Sequence, residues 1–130
     1  MSALLPVDYD WAVLRAVPDV CSGAWVPLGV VVHARRAGFL GLELHDAPVA
    51  GLDPDLLARS RDGLRRIARG DADAGPVALL PPSERFHWLV AVRSAAIQSA
   101  PVHTGRARDP ESALAELYRG LVSATPPASR

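Results

Sequence analysis

The sequence predicts an α+β fold: a mainly antiparallel sheet of four to five strands with two amphipathic helices packed on it. Three observations carry that expectation. Two Val- and Leu-rich runs flank Arg35-Arg36-Ala37-Gly38, the pattern of a hairpin. Two helical periodicities each open on Asp-Pro, at Asp53-Pro54 and Asp109-Pro110. The strands come mostly before the helices, the order of an α+β chain.

The first strand is expected over Val7 to Val17. Val7, Tyr9, Trp11 and Val13 share one period-2 face, while Ala12, Leu14 and Ala16 share the other. Asp8 and Asp10 occupy only the entry of that second face, so the strand should become buried on both sides as it proceeds. Pro27 to Ala34 and Phe39 to His45 read as the hairpin strands. Matching apolar faces pairs Leu28 with Leu44, Val30 with Leu42 and Val32 with Leu40, and turns His33, Glu43 and His45 to the opposite face. The first helix should run from Pro54 to Arg69 and stop at Gly70, with Leu56, Leu57, Leu64, Ile67 and Ala68 on its apolar stripe. Residues 70 to 82 read as a long connection pinned by Val77, Leu79 and Leu80. Phe86, Trp88, Val90 and Val92 alternate and predict a fourth strand; Ala96 to Ser99 predicts a short fifth. The second helix follows Asp109, with Leu114, Leu117, Tyr118 and Leu121 at helical spacing. The domain is thus expected over residues 1–122, followed by a flexible Pro/Ser tail over 123–130.

Composition narrows the function classes. The chain has 130 residues, 14 basic and 14 acidic, so bulk attraction to nucleic acid or an anionic membrane is not expected. Every basic residue is Arg, and neither Lys nor Asn occurs, which points to a GC-rich, bacterial coding sequence. Cys21 is the single cysteine, so no internal disulfide forms and a reducing cytoplasm fits. Residues 1–6 lack the basic region and long apolar core of a secretory leader. The longest apolar run, interrupted by Pro27 and Gly29, is too short to span a bilayer.

Few motifs carry chemistry. His33 and His45 are separated by about 20 Å in the expected register, and no HxH, HxxxH or CxxC spacing supports a metal site. There is no nucleophile elbow, no Walker loop and no dinucleotide-binding glycine pattern, so no cofactor is expected and catalysis is disfavoured. Arg61, Arg65 and Arg69 form a row without acidic partners at i±4, the expected docking face for an acidic surface on a protein partner or a second copy. Arg85, His87 and Arg93 share strand parity, with Ser94 beside Arg93. A fold-back at Pro101 would bring His103 and Thr104 close. Together these six donors form the candidate anion site, because a planar guanidinium with hydroxyl and imidazole neighbours suits phosphate or carboxylate.

The same stretch carries a resemblance. RFHWL, then RS, IQ and PVHTG, followed by the Asp109-Pro110 helix, is similar to the bacterial family of unknown function called DUF3037. YDWAVLRAVP, VPLGVVVHARRAGFLGLEL and LDP match the opening of that family in order, so the resemblance spans about residues 8 to 122. Its characteristic positions fall on Arg15, Gly29, Arg85, Phe86, Trp88, Arg93, Ser94, Gln98, His103 and Gly105. The chain departs from the pattern at Pro27 and Val92, where a polar residue and a Pro are expected. The resemblance implies no activity. It does imply a partner, since members are often encoded beside a kinase of the HipA-like toxin type. The leading expectation is a small cytoplasmic binding or accessory module without catalysis. The alternatives are an enzyme acting on a phosphate-bearing substrate through residues 85–105, and a structural subunit of a homo-oligomer.

Overall fold

The computed structural model describes residues 5–19, 21–91 and 96–123. Arg93, Ser94 and Val92 lie outside the described residues, as does the expected tail apart from Ser123. Five strands form one antiparallel sheet: β1 (Val7–Ala16), β2 (Val26–Ala34), β3 (Phe39–Leu44), β4 (Ile97–Ser99) and β5 (His103–Ala107). The order is β3-β2-β1-β4, and β5 also pairs with β1. β4 takes Leu14 to Ala16 of β1, and β5 takes Val7 to Trp11, so the two short strands divide one edge of β1 between them. Among the described residues three α-helices complete the fold: α1 (Pro54–Arg69), α2 (Pro82–Val90) and α3 (Pro110–Tyr118).

Local chemistry sets the helix ends as the sequence indicates. Asp53 accepts a hydrogen bond from the Leu56 N–H at 3.0 Å, and Pro54 stands at the first helical position. Gly70 ends α1 in the left-handed region at φ 74°. Asp109 caps α3, accepting from the Glu111 N–H at 3.3 Å and the Ser112 hydroxyl at 2.6 Å.

The segment expected as a fourth strand is instead the helix α2. Pro82 and Glu84 suit a helical first turn, and buried Phe86 and Leu89 are three residues apart. Trp88, inward in the strand reading, is 54% exposed. The apolar run is short enough to satisfy both periods, and the helix-opening prolines decide between them. The connection before it contains two 3₁₀ turns, Ala72–Ala74 and Pro76–Leu79; Ala78 is its buried anchor, whereas Leu79 is exposed.

The hairpin forms, but its register is shifted by one residue from the expected one. Val31 lies opposite Leu42, Val30 opposite Glu43 and Val32 opposite Gly41. Face matching cannot resolve this, because Val30, Val31 and Val32 are all fully buried. The observed pairing sends Val31, Leu40, Leu42 and Leu44 into the core beneath α1 and α2. It leaves Gly41 on the other side, where Leu114 of α3 packs so closely that a Cβ would collide with it. His33 and Glu43 therefore lie on opposite faces, not together. His33 is buried and stacks on Phe86, with ring centroids 5.4 Å apart.

The sheet thus has a helical layer on each side. Ala12, Leu14, Ala16, Val31 and Ile97 meet Leu57, Leu64, Phe86 and Leu89 on one face. Val30 and Val32 meet Leu114 and Val122 on the other, flanked by Tyr9, Trp11 and Val13. No helix among the described residues is long and apolar enough to cross a membrane.

Candidate functional site

The described members of the expected anion site do not gather in one cleft. Arg85 is on α2, and its guanidinium donates to the carbonyls of Leu80 at 2.9 Å, Ile67 at 3.1 Å and Ala68 at 2.7 Å. It closes the C-terminal end of α1, where a cation complements the helix dipole. His87 does not share a face with Arg85, since α2 is helical; its Nδ1 donates to the Ser83 carbonyl at 2.9 Å, the bond of one helical turn. His103 and Thr104, expected in a turn, belong to β5. The His103 ring stacks on Trp11 at 4.8 Å, on the α3 side of the sheet, away from Arg85.

The arginine row expected to lack partners is occupied within the chain. Arg61 is 6% exposed and stands on the buried stripe of α1 between Leu57 and Leu64. It donates to the Ala47 carbonyl at 2.5 Å and to His45 Nδ1 at 3.2 Å. Arg65 bonds the Leu44 carbonyl and pairs with Asp46 at 2.8 Å; Arg69 pairs with Asp71 at 2.9 Å. Asp46 is held below the ordinary carboxylate range by the hydrogen bond from Arg65. Burial lowers Arg61 from its ordinary value.

A different place is open. α3 packs on β2 and β3, and among the described residues no helix packs as closely on β1 and β5, the outer half of that sheet face. A cavity of about 690 Å³ lies there, within the usual range for ligand pockets. Tyr9 and Trp11 line it from β1, Ser112 and Leu117 from α3, Leu121 from the turn after α3, and Arg108 from the loop between β5 and α3. Tyr9 lies across Gly105, its partner on β5; a Cβ at Gly105 would fall within 2.5 Å of the Tyr9 ring. The glycine thus lets the aromatic ring lie flat along the edge strand. Arg106 pairs with Asp8 at 3.2 Å, whereas Arg108 forms no ion pair among the described residues. The walls offer aromatic and aliphatic surface, the Arg108 cation and the capping carboxylate of Asp109. That set suits an apolar segment bearing an acidic group.

The sequence puts Tyr9, Trp11 and Val13 on one face of β1 but marks no site there. The missing piece is β5, because His-Thr-Gly-Arg-Ala has no apolar alternation. The signal that remained was Gly105 within reach of an aromatic strand face. Among the described residues no group of three or more His, Cys, Asp or Glu is placed to hold a metal ion.

Searches among curated proteins and among solved structures returned no match. The model of one family, described as Protein of unknown function (DUF3037), matches residues 11–122. That span takes in β2 to β5, the three helices and most of β1, so the chain belongs to the DUF3037 family.

Proposed function

We infer that the chain is a binding module of the cytoplasm, without catalysis of its own, that receives a segment of a protein partner in the groove between α3 and the β1–β5 edge. The observation that carries this reading is the half-covered sheet face. Among the described residues α1 and α2 cover one side, whereas on the other α3 packs on β2 and β3 and leaves Tyr9 and Trp11 beside an open cavity. An apolar segment would lie against these rings, and an acidic residue beside it would meet Arg108. The kinase of the HipA-like type, implied by the resemblance, is the first partner to try. The enzyme reading through residues 85–105 gains nothing from the geometry, since Arg85 is bonded to backbone and His103 lies across the sheet from it.

The test is quantitative capture from the native host with three baits. Leu121 is partly exposed at the groove, so Leu121→Glu alters the groove without touching the core. Arg59→Glu makes a comparable change on α1, across the sheet. The expected result is a partner retained by the unaltered chain and by Arg59→Glu, and reduced tenfold or more with Leu121→Glu. A partner held equally by all three baits, or none held by any, overturns the reading.

A further inference from the structure

The outward row of β1 does not end at Val13. Leu14 and Ala16 turn into the core beneath α1 and α2, so Arg15 between them turns to the α3 side, in line with Tyr9, Trp11 and Val13. It stands about 13 Å along the strand from Trp11, beyond the residues that line the groove. The Arg15 guanidinium lies over the Trp25 ring, its carbon 4.2 Å from the ring centroid. Stacking uses the flat face of the guanidinium and leaves its in-plane N–H donors free. Among the described residues Nε, which is buried, has no hydrogen-bond partner. Among the described residues, no carboxylate pairs with Arg15.

A buried guanidinium N–H without a partner is unusual in a folded chain. Arg61 has a similarly orphaned Nε, but that residue is enclosed and its terminal nitrogen is committed to Ala47 and His45. Arg15 differs in having an open neighbour. Trp25 is 46% exposed, and Gln98 of β4 stands directly opposite Arg15 with its side chain on the same side of the sheet. Directly paired residues have Cβ atoms about 5 Å apart, so both side chains can reach one small ligand. Among the described residues the Gln98 carboxamide makes no hydrogen bond, and its N–H₂ is a neutral donor beside the cationic fork.

We propose that Arg15, Gln98 and Trp25 form an oxyanion site that takes a carboxylate or a phosphate group. The guanidinium fork binds two oxygens of the anion, the Gln98 amide donates a third hydrogen bond, and the indole holds the fork in place. This site does not depend on the groove reading. Its donors come from the bulged end of the sheet, where Leu28 is the extra residue of β2 between Leu14–Gly29 and Arg15–Pro27.

The test is a titration of the full chain followed by NMR at the Arg15 Nε–H and the Gln98 side-chain N–H₂. Sodium acetate and inorganic phosphate are the probes, and chloride at matched ionic strength is the baseline. The expected result is a saturable shift at both groups with acetate or phosphate and none with chloride; the probe that saturates at lower concentration names the anion class. Arg15→Lys should weaken the saturation tenfold or more, because an ammonium cannot reproduce the fork, and Gln98→Leu should weaken it several-fold. Shifts that follow ionic strength alike in all three salts overturn the proposal. Should Arg15→Lys fail to fold, Gln98→Leu decides: undiminished saturation at Arg15 in that variant overturns the site. Leu121→Glu leaves this titration unchanged, so the groove and the oxyanion site fail or stand separately.

Discussion

Arg85 shows how a single side chain can settle local structure without being part of a site. Arg85 spends three N–H donors on three carbonyls, two of them at the end of α1. Charged donors to backbone are worth about 1.5–3 kcal/mol each before compensation by water, and part of that compensation is open to this half-buried side chain. Arg85→Ala is therefore expected to cost about 2–3 kcal/mol in urea unfolding, with Arg85→Lys restoring only part of it. A change within 0.5 kcal/mol, roughly what an uninvolved surface site shows, would mean that water replaces Arg85 at those carbonyls. Cys21 is the opposite case. It is exposed, and among the described residues only its backbone N–H is engaged, donating to the Asp19 carboxylate at 3.0 Å. Cys21→Ser should leave stability within about 0.5 kcal/mol, and a larger loss by the same measurement would show that the thiol is used.

At the scale of elements, His45 joins β2, the segment after β3 and α1 through one ring. Two donors, the Arg61 guanidinium and the Ala47 N–H, point at Nδ1, so the proton resides on Nε2, which donates to the Pro27 carbonyl at 3.2 Å. Protonating Nδ1 would set N–H against N–H. Burial, and then Arg61, hold the His45 pKa below its ordinary 6.5; burial lowers that of His33 as well. The unfolded chain then binds more protons than the folded one below that value. The stabilisation is fully present above about pH 6.5 and is lost as pH falls through the lower folded values. Urea midpoints should therefore fall between pH 7 and pH 5, and His45→Gln should be less stable at pH 8 yet show a shallower fall. An equal slope in that variant would assign the pH dependence elsewhere. The elements also divide by how readily the sequence reveals them. α1 is legible to the residue because Asp53, Pro54 and Gly70 act on neighbouring backbone groups. The β2–β3 register is not, since β2 is apolar on both sides and the choice is made by α3, whose Leu114 needs Gly41 beneath it. Arg61 was readable only in part: its spacing from Leu57 and Leu64 puts it on the buried stripe, but nothing local says that His45 and Ala47 will meet it there.

Across the whole molecule, the sheet is shared property. β1 and β2 send alternate side chains into two separate clusters: Ala12, Leu14 and Val31 toward α1 and α2, Trp11, Val13, Val30 and Val32 toward α3. Neither layer can leave without exposing residues of strands that the other layer needs. The candidate groove was invisible in the sequence for the same reason, because its walls belong to β1, β5 and α3 and meet only once both layers are in place. Folding should then be a single cooperative transition, with the groove formed whenever the chain is folded. Leu89 is 1% exposed in one cluster and Leu114 is 7% exposed in the other. Truncating either to Ala should cost about 2–5 kcal/mol through lost burial and the cavity left behind. Both variants should shift the urea midpoint without changing the slope, and far-UV circular dichroism should track tryptophan fluorescence through each transition. The sensitive case is Leu114→Ala, which weakens the side that only one helix covers. If fluorescence changes there before the far-UV signal, α3 detaches as its own unit. The groove would then be assembled by its ligand, because its α3 wall would be absent in part of the unliganded population. Coincident curves mean that Tyr9 and Trp11 face a wall already in place, so binding orders little of the chain itself.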